Sequence, residues 1–264
     1  MYRCDKKTPA LKCYPPAKCD TGIPLDINNP DVVKFQIAAG VLPAKNEGYS
    51  AIAWDNFDLG NAMKACGHYS SGKWVQVYNP ETSASRAQYA EDVIRWTRTM
   101  SMESHKINML MVPNWGGLVD GNSPSSMWNS KSILAIGNVT DGALDEAGFT
   151  DFGQERVQLG EQWENRVKFA LNQQRFGKSY YSISQYGKWN GHWGPASHHT
   201  PNISVAVHAW VLASYLMTNV NASGTTLVCA QCYGYAAVNF SWWPEDATKV
   251  INLIHPASHG CHFD

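Results

Sequence analysis

Short apolar segments alternate along this chain with longer segments of helical periodicity, and this alternation limits its fold more than any other feature. The apolar segments have the length of strands that are buried on both faces. We expect strands at residues 49–54, 107–112, 139–145, 180–185 and 225–230. We expect helices at residues 31–39, 86–105, 130–136, 154–176, 205–218 and 246–253. Strands and helices in this alternation predict parallel βα units and an α/β fold.

Acidic side chains come directly after two of these strands. The run from Ala51 to Trp54 breaks into Asp55, and a similar run ends in Asp145 and Glu146. A carboxylate at the end of a buried strand is costly to desolvate, which indicates a function. Glycoside hydrolysis needs one carboxyl group to protonate the leaving oxygen and another to attack the anomeric carbon or to activate water. We therefore predict Asp55 as nucleophile or base and Glu146 as acid, and a structural role for Asp145.

The same acids also have a plain structural interpretation. Asp55 then only caps the turn that follows its strand, and Glu146 is a solvated loop acid.

Other residues near the strand ends are predicted to bind a sugar. Asn114 follows residues 107–112 and is placed to bond a hydroxyl group. Trp and Tyr combine an apolar face with a polar group, which suits stacking on a sugar ring, although each such ring is also a normal core residue. The full set of predicted substrate contacts is Asp5, Trp54, Asn56, Asp58, Asn114, Trp115, Tyr186, His192 and Tyr233.

Composition excludes several classes of partner. Within 264 residues, 44% are hydrophobic and 16% are charged, and the net charge is −1 without a long basic run. Nucleic acid binding needs clustered Lys and Arg, so it is not expected. No apolar stretch approaches the roughly 20 residues of a membrane span. Aromatic residues make up 12% of the chain, including 11 Trp, which favours a carbohydrate partner. The sequence sets no oligomeric state.

Cysteine usage and sequons favour export. The chain has seven Cys and four N-glycosylation triplets, at Asn138, Asn202, Asn221 and Asn239. We expect a secreted glycoprotein with some disulfides, although no apolar signal segment follows Met1. Cys13 and Cys19 lie in a Pro-rich stretch that a disulfide between them would hold together.

No metal or cofactor is predicted. The chain has neither the zinc motif HExxH, nor the nucleotide motifs GxGxxG and GxxxxGK[ST], nor the esterase motif GxSxG. An alternative zinc site would need three imidazoles to converge from His192, His198, His199 and His208.

Three segments, AIAWDNFDLGN, MLMVPNW and TDGALDEAGFTDFG, occur in this order between residues 51 and 153. Together they resemble glycosyl hydrolases of the TIM-barrel superfamily, of which family 114, the endo-α-1,4-polygalactosaminidases, is the nearest named group. The resemblance covers roughly residues 20–250. It implies a (β/α)8 barrel with an Asp ending strand four and a Glu ending strand six, and those positions match Asp55 and Glu146.

The match of Asp55 to the end of strand four leaves few residues for the strands that come before it. If residues 49–54 form strand four, strand three ends at about residues 3–5, and nothing remains for strands one and two. We therefore expect residues 1–264 to be a single catalytic barrel domain, truncated at its N-terminus, with strands three to eight present. The expected function is hydrolysis of an α-linked oligo- or polysaccharide. The alternative is a non-catalytic carbohydrate-binding protein on a degenerate barrel.

Overall fold

The computed structural model describes residues 1–11, 23–55, 58–114, 131–145, 148–150, 157–184, 205–220 and 225–229. Its helices are α1 (Pro30–Gln36), α2 (Leu42–Asn46), α3 (Ser83–Lys106), α4 (Lys131–Val139), α5 (Gly160–Arg175) and α6 (Val205–Thr218). Its strands are β1 (Ala51–Trp54), β2 (Gly67–Ser70), β3 (Lys73–Gln76), β4 (Leu110–Pro113), β5 (Gly142–Asp145), β6 (Ser179–Ser184) and β7 (Thr225–Cys229).

Five of these strands run parallel and are neighbours in chain order. β1 pairs with β4, and β5, β6 and β7 form a second parallel group. A parallel bridge between Asn114 and Leu144 connects the two groups, and the amide of Asp141 donates to the carbonyl of Met111 over 2.9 Å. The five strands occur within one to three residues of their predicted positions. The strands that the structure describes form no closed barrel, so the (β/α)8 barrel stays a prediction.

The helix α3 shows why the sequence pattern predicts its position well. Thr82 caps its first turn by accepting a hydrogen bond from the amide of Ser85 over 3.3 Å. The residues at three- and four-residue steps, Tyr89, Val93, Trp96 and Met100, are buried as predicted. Burial of this stripe against the sheet stabilises the helix far more than intrinsic propensity does.

The first helical segment is longer than predicted. Residues 37–41 form a π-helical turn that joins α1 to α2, where the amide of Leu42 donates to the carbonyl of Ile37. Pro43 has no N–H group to donate and occupies the first turn of α2, where none is needed. The chain therefore stays helical to Asn46 instead of ending at about residue 39.

The structure differs from the prediction in two segments that precede α3. Residues 3–5, where the end of a strand was expected, form a turn, and Tyr2 makes single antiparallel bridges to Pro9 and Gly67. The sequence predicts a long loop over residues 56–85 with a short extended piece at residues 74–78, but this region contains the antiparallel hairpin β2–β3, and the extended piece overlaps β3. Ser71 and Gly72 form its turn with φ of 49° and 75°. Two consecutive positive φ angles match the right-handed twist of the flanking strands.

The core lies between the parallel strands and the helices that connect them. Fully buried side chains on strands and helices include Met100, Met111, Ile136, Ala143, Phe169, Ala170, Tyr180 and Val211. None of the helices in the described part of the chain is long and apolar enough to cross a membrane.

Candidate functional site

Asp55 and Asn114 lie side by side at the C-terminal ends of neighbouring strands. The backbone amide of Asn114 donates to the carbonyl of Trp54 over 2.7 Å, which continues the β1–β4 pairing by one residue. The side-chain Nδ2 of Asn114 then donates to Oδ1 of Asp55 over 2.8 Å. Asn114 is 4% exposed, whereas Asp55 is exposed. A buried amide therefore orients a carboxylate that solvent can reach.

The strand that carries Asp55 is less buried than predicted. Ile52 and Trp54 are half-buried and Ala53 is exposed, although a strand buried on both faces was expected. Among the described residues β1 pairs on one side only, with β4. Desolvation therefore gives no support to a functional role for Asp55. Its support is its position beside Asn114.

Asp145 ends β5 in a fully buried ionic network. Its Oδ2 lies 2.9 Å from Nε of Arg166 on α5 and accepts a hydrogen bond of 2.5 Å from the hydroxyl of Tyr180. Its Oδ1 accepts from the amide of Gly148 over 3.1 Å. Asp145 is 0% exposed and Arg166 is 1% exposed. The Asp145 carboxylate thus points to the helix layer, which supports the structural role expected from strand alternation.

The same network changes the chemistry of Tyr180. Burial raises the pKa of the Tyr180 hydroxyl well above its usual range, and the negative charge of Asp145 raises it further. Tyr180 therefore stays a neutral hydrogen-bond donor. The end of β5 is held in place by an ion pair and two further hydrogen bonds.

Sequence reasoning missed Arg166. It stands in the buried stripe of α5, between Trp163 and Ala170 at helical spacing. An arginine in such a stripe must find a carboxylate, because an unpaired charge is rarely buried. That signal, together with the expected inward-packed Asp145, would have predicted the pair.

Two other predicted contacts serve local structure. Trp54 packs edge-on against Trp96 of α3, with ring centroids 5.8 Å apart. Asp58 accepts hydrogen bonds from the amides of Gly60 and Ala62, at 2.7 and 2.6 Å, and so caps the turn after β1. Trp54 thus matches the alternative of a core ring, and Asp58 matches the alternative of a capping residue.

Asp5 also serves its own loop. Its carboxylate accepts from the amides of Lys7 and Thr8 and from the Thr8 hydroxyl, over 2.9, 2.8 and 2.5 Å. These hydrogen bonds, the hydroxyl foremost, lower the pKa of Asp5 to about 2. The expected position of Asp5 on the rim of a third strand is wrong, because residues 4 and 5 form a turn.

The remaining predicted residues lie outside the described part of the chain: Glu146, Asn56, Trp115, Tyr186, His192 and Tyr233. Of the alternative zinc site, His192, His198 and His199 also lie outside the described residues. Within the described ranges no group of three His, Cys, Asp or Glu side chains is arranged to hold a metal ion.

One disulfide joins Cys4 to Cys66, across 62 residues of sequence. It ties the N-terminal turn to the start of the β2–β3 hairpin. The pairing of Cys13 with Cys19 lies outside the described residues. A disulfide is consistent with the expected oxidising compartment.

Comparison with protein-family models, with curated proteins and with solved structures gives no match to this chain. The interpretation of the site therefore rests on the residues and their geometry.

Proposed function

We propose that this protein is a glycoside hydrolase that cleaves α-linked oligo- or polysaccharides, with Asp55 and Glu146 as its acid–base pair on a β/α barrel. The observation that carries the proposal is the hydrogen bond from Asn114 to Asp55 at the C-terminal ends of two parallel strands. Catalytic groups of β/α barrels come from that end of the strands.

The strand order supports a second acid at the same edge. The bridge between Asn114 and Leu144 makes β5 the neighbour of β4, so that β1 and β5 are two positions apart. Adjacent strands lie about 4.8 Å apart, which separates the axes of β1 and β5 by about 10 Å. Side chains that lean toward each other from such positions can span the roughly 5–9.5 Å that retaining and inverting hydrolases require.

We assign different roles to the two acids. Asp55 is exposed and oriented by Asn114, as a nucleophile or a base that activates water needs to be. Glu146 follows Asp145, whose buried ion pair with Arg166 fixes the end of β5. In the proposal Glu146 protonates the leaving oxygen, and Asn114 is a positioning residue.

The first experiment is a screen of the purified chain against α-linked oligosaccharides, with release of reducing ends as the readout. The double variant Asp55→Asn/Glu146→Gln serves as the negative control. Release by the wild type alone supports the hydrolase. Binding of an oligosaccharide without release by either protein would instead support a non-catalytic carbohydrate-binding protein.

A further inference from the structure

A cluster of side chains forms where the β2–β3 hairpin meets the N-terminal turn, and we refer to its members, Tyr2, Lys6, Tyr69 and Trp74, as the aromatic hairpin face. The ring of Tyr69 stands edge-on to Tyr2 and to Trp74, with centroid distances of 5.9 and 5.4 Å. Nζ of Lys6 lies over the Trp74 ring, 5.9 Å from its centroid. Tyr69 is 48% exposed and Tyr2 and Trp74 are half-buried, so that one aromatic ring faces solvent beside a cation.

This face is fixed before any ligand arrives. The disulfide from Cys4 to Cys66 fastens its two chain segments to each other. The amide of Tyr2 donates to the carbonyl of Gly67 over 2.8 Å, and the hydroxyl of Tyr69 donates to the carbonyl of Lys6 over 3.0 Å. A rigid surface loses little entropy on binding, which favours affinity.

Gly67 is required for this arrangement. A Cβ atom at residue 67 would lie 2.7 Å from the Trp74 ring and 2.3 Å from the carbonyl oxygen of Val75. The indole therefore packs directly against the backbone of the neighbouring strand, and its position in the face is set by this close approach.

The charge of the N-terminal loop favours an anionic partner. Residues 2–8 contain Arg3, Lys6 and Lys7 against a single acid, Asp5. The carboxylate of Asp5 already accepts three hydrogen bonds within its own turn. Lys6 is exposed and its ammonium group lies over the Trp74 ring beside Tyr69, where it can meet a carboxylate while the sugar ring stacks on Tyr69.

We propose that the aromatic hairpin face is a binding site for an acidic glycan, that is, a sugar chain that carries uronic acid carboxylates. The proposal rests on the proposed function only in taking a carbohydrate as the ligand. It needs neither Asp55 nor Glu146, so binding and hydrolysis can fail separately.

Calorimetric titration of the full chain with oligogalacturonate and with neutral galactose oligomers of equal length tests this site. The acidic oligomer should bind at least about tenfold more tightly at low salt, and Tyr69→Ala should weaken it by at least about tenfold. Lys6→Gln should remove the preference for the acidic oligomer and most of its salt dependence. Tyr69→Phe keeps the ring and loses only the hydrogen bond to the Lys6 carbonyl, so it should weaken binding by at most a few-fold. Phe35→Ala, at an equally prominent aromatic residue on α1 that is 61% exposed, should also leave binding unchanged.

Several results would overturn the site. These are equal affinity for both oligomers, no effect of Tyr69→Ala or Lys6→Gln, or equally tight binding of a single-stranded oligodeoxynucleotide of the same charge. If Tyr69→Ala does not fold, Lys6→Gln decides the question. Asp55→Asn should retain the binding, so loss of hydrolysis with intact binding leaves this proposal standing. Binding by a wild type that hydrolyses no sugar would count against the proposed function only.

Discussion

The side-chain amide of Asn114 donates a hydrogen bond of 2.8 Å to Oδ1 of Asp55, across the ends of the adjacent strands β4 and β1. The backbone of Asn114 is itself fixed by its bond to the carbonyl of Trp54. The orientation of the exposed carboxylate therefore depends on a side chain that is almost fully buried. Variants of Asn114 are therefore best suited to separate the orientation of the Asp55 carboxylate from the stability of the fold.

Asn114→Ala should lower kcat by about 10- to 100-fold and change KM by only a few-fold, because a misoriented carboxylate still permits substrate binding. Asn114→Asp places a second carboxylate against Asp55, and the repulsion should raise the apparent pKa of the pair and shift the pH–rate profile toward higher pH. Steady-state kinetics across pH, with far-UV circular dichroism as the folding control, measure both effects. An unchanged profile in Asn114→Asp would contradict the positioning role.

Asp145→Asn should destabilise the fold by about 3–5 kcal/mol, because it leaves the buried guanidinium of Arg166 without its counter-charge. Urea unfolding gives the free energy of unfolding. Asp31→Asn is the matched control, since Asp31 pairs with Lys34 on the surface and its loss should cost far less. Equal losses of unfolding free energy in the two variants would show that burial does not strengthen the pair of Asp145 with Arg166.

Cys4→Ser should lower the free energy of unfolding by about 2–5 kcal/mol, since the disulfide closes a long loop in the unfolded chain. Cys4 is exposed, so this variant removes the bond without disturbing the core, whereas Cys66→Ser also places a hydroxyl group in a buried position. Unfolding of the wild type with and without a reducing agent should reproduce the difference. A wild type that is insensitive to reduction would contradict the assigned pairing.

The turn that contains Asp5 should loosen in acid. Its pKa is lowered from 3.8 to about 2 by the hydrogen bonds from Thr8 and Lys7, so these bonds are fully formed above the unfolded value and are lost as pH falls toward 2. The amide resonance of Thr8 in NMR spectra should follow this titration. Thr8→Ala removes the hydroxyl donor and should move the midpoint of Asp5 upward; a midpoint that does not move would contradict the hydrogen-bond origin.

The sequence predicts those elements of the fold whose apolar periodicity directly reflects burial. The stripe of α3 and the short apolar strands at β4, β5 and β6 are explained by the helical and strand periods of their apolar residues. An extended piece was predicted at residues 74–78, which overlap β3, but β2 and the hairpin pairing were missed because the strands are short and mostly exposed, although the Ser71-Gly72 pair is a turn signal. The degree of exposure of β1 depends on which strands flank it, and that is a tertiary property.

The relative position of Asp55 and Asn114 was also predictable from the pattern of strands. Asp55 and Asn114 were expected at adjacent strand ends because parallel strands place their C-terminal ends at one edge, and the structure puts them in contact. Their hydrogen bond was not expected, since it depends on side-chain rotamers. The pairing of Asp145 with Arg166 joins residues 21 positions apart through a helix–sheet contact, which strand and helix periods alone do not specify.

The most direct test of the central claim is the turnover of an α-linked oligosaccharide by Asp55→Asn, measured beside the affinity of the same variant for that sugar. Asn keeps the shape of the side chain and removes its charge. We predict that kcat falls by about 10²- to 10⁴-fold while the affinity stays within about threefold of the wild type. Wild-type turnover in Asp55→Asn would contradict the assignment of Asp55 as a catalytic residue.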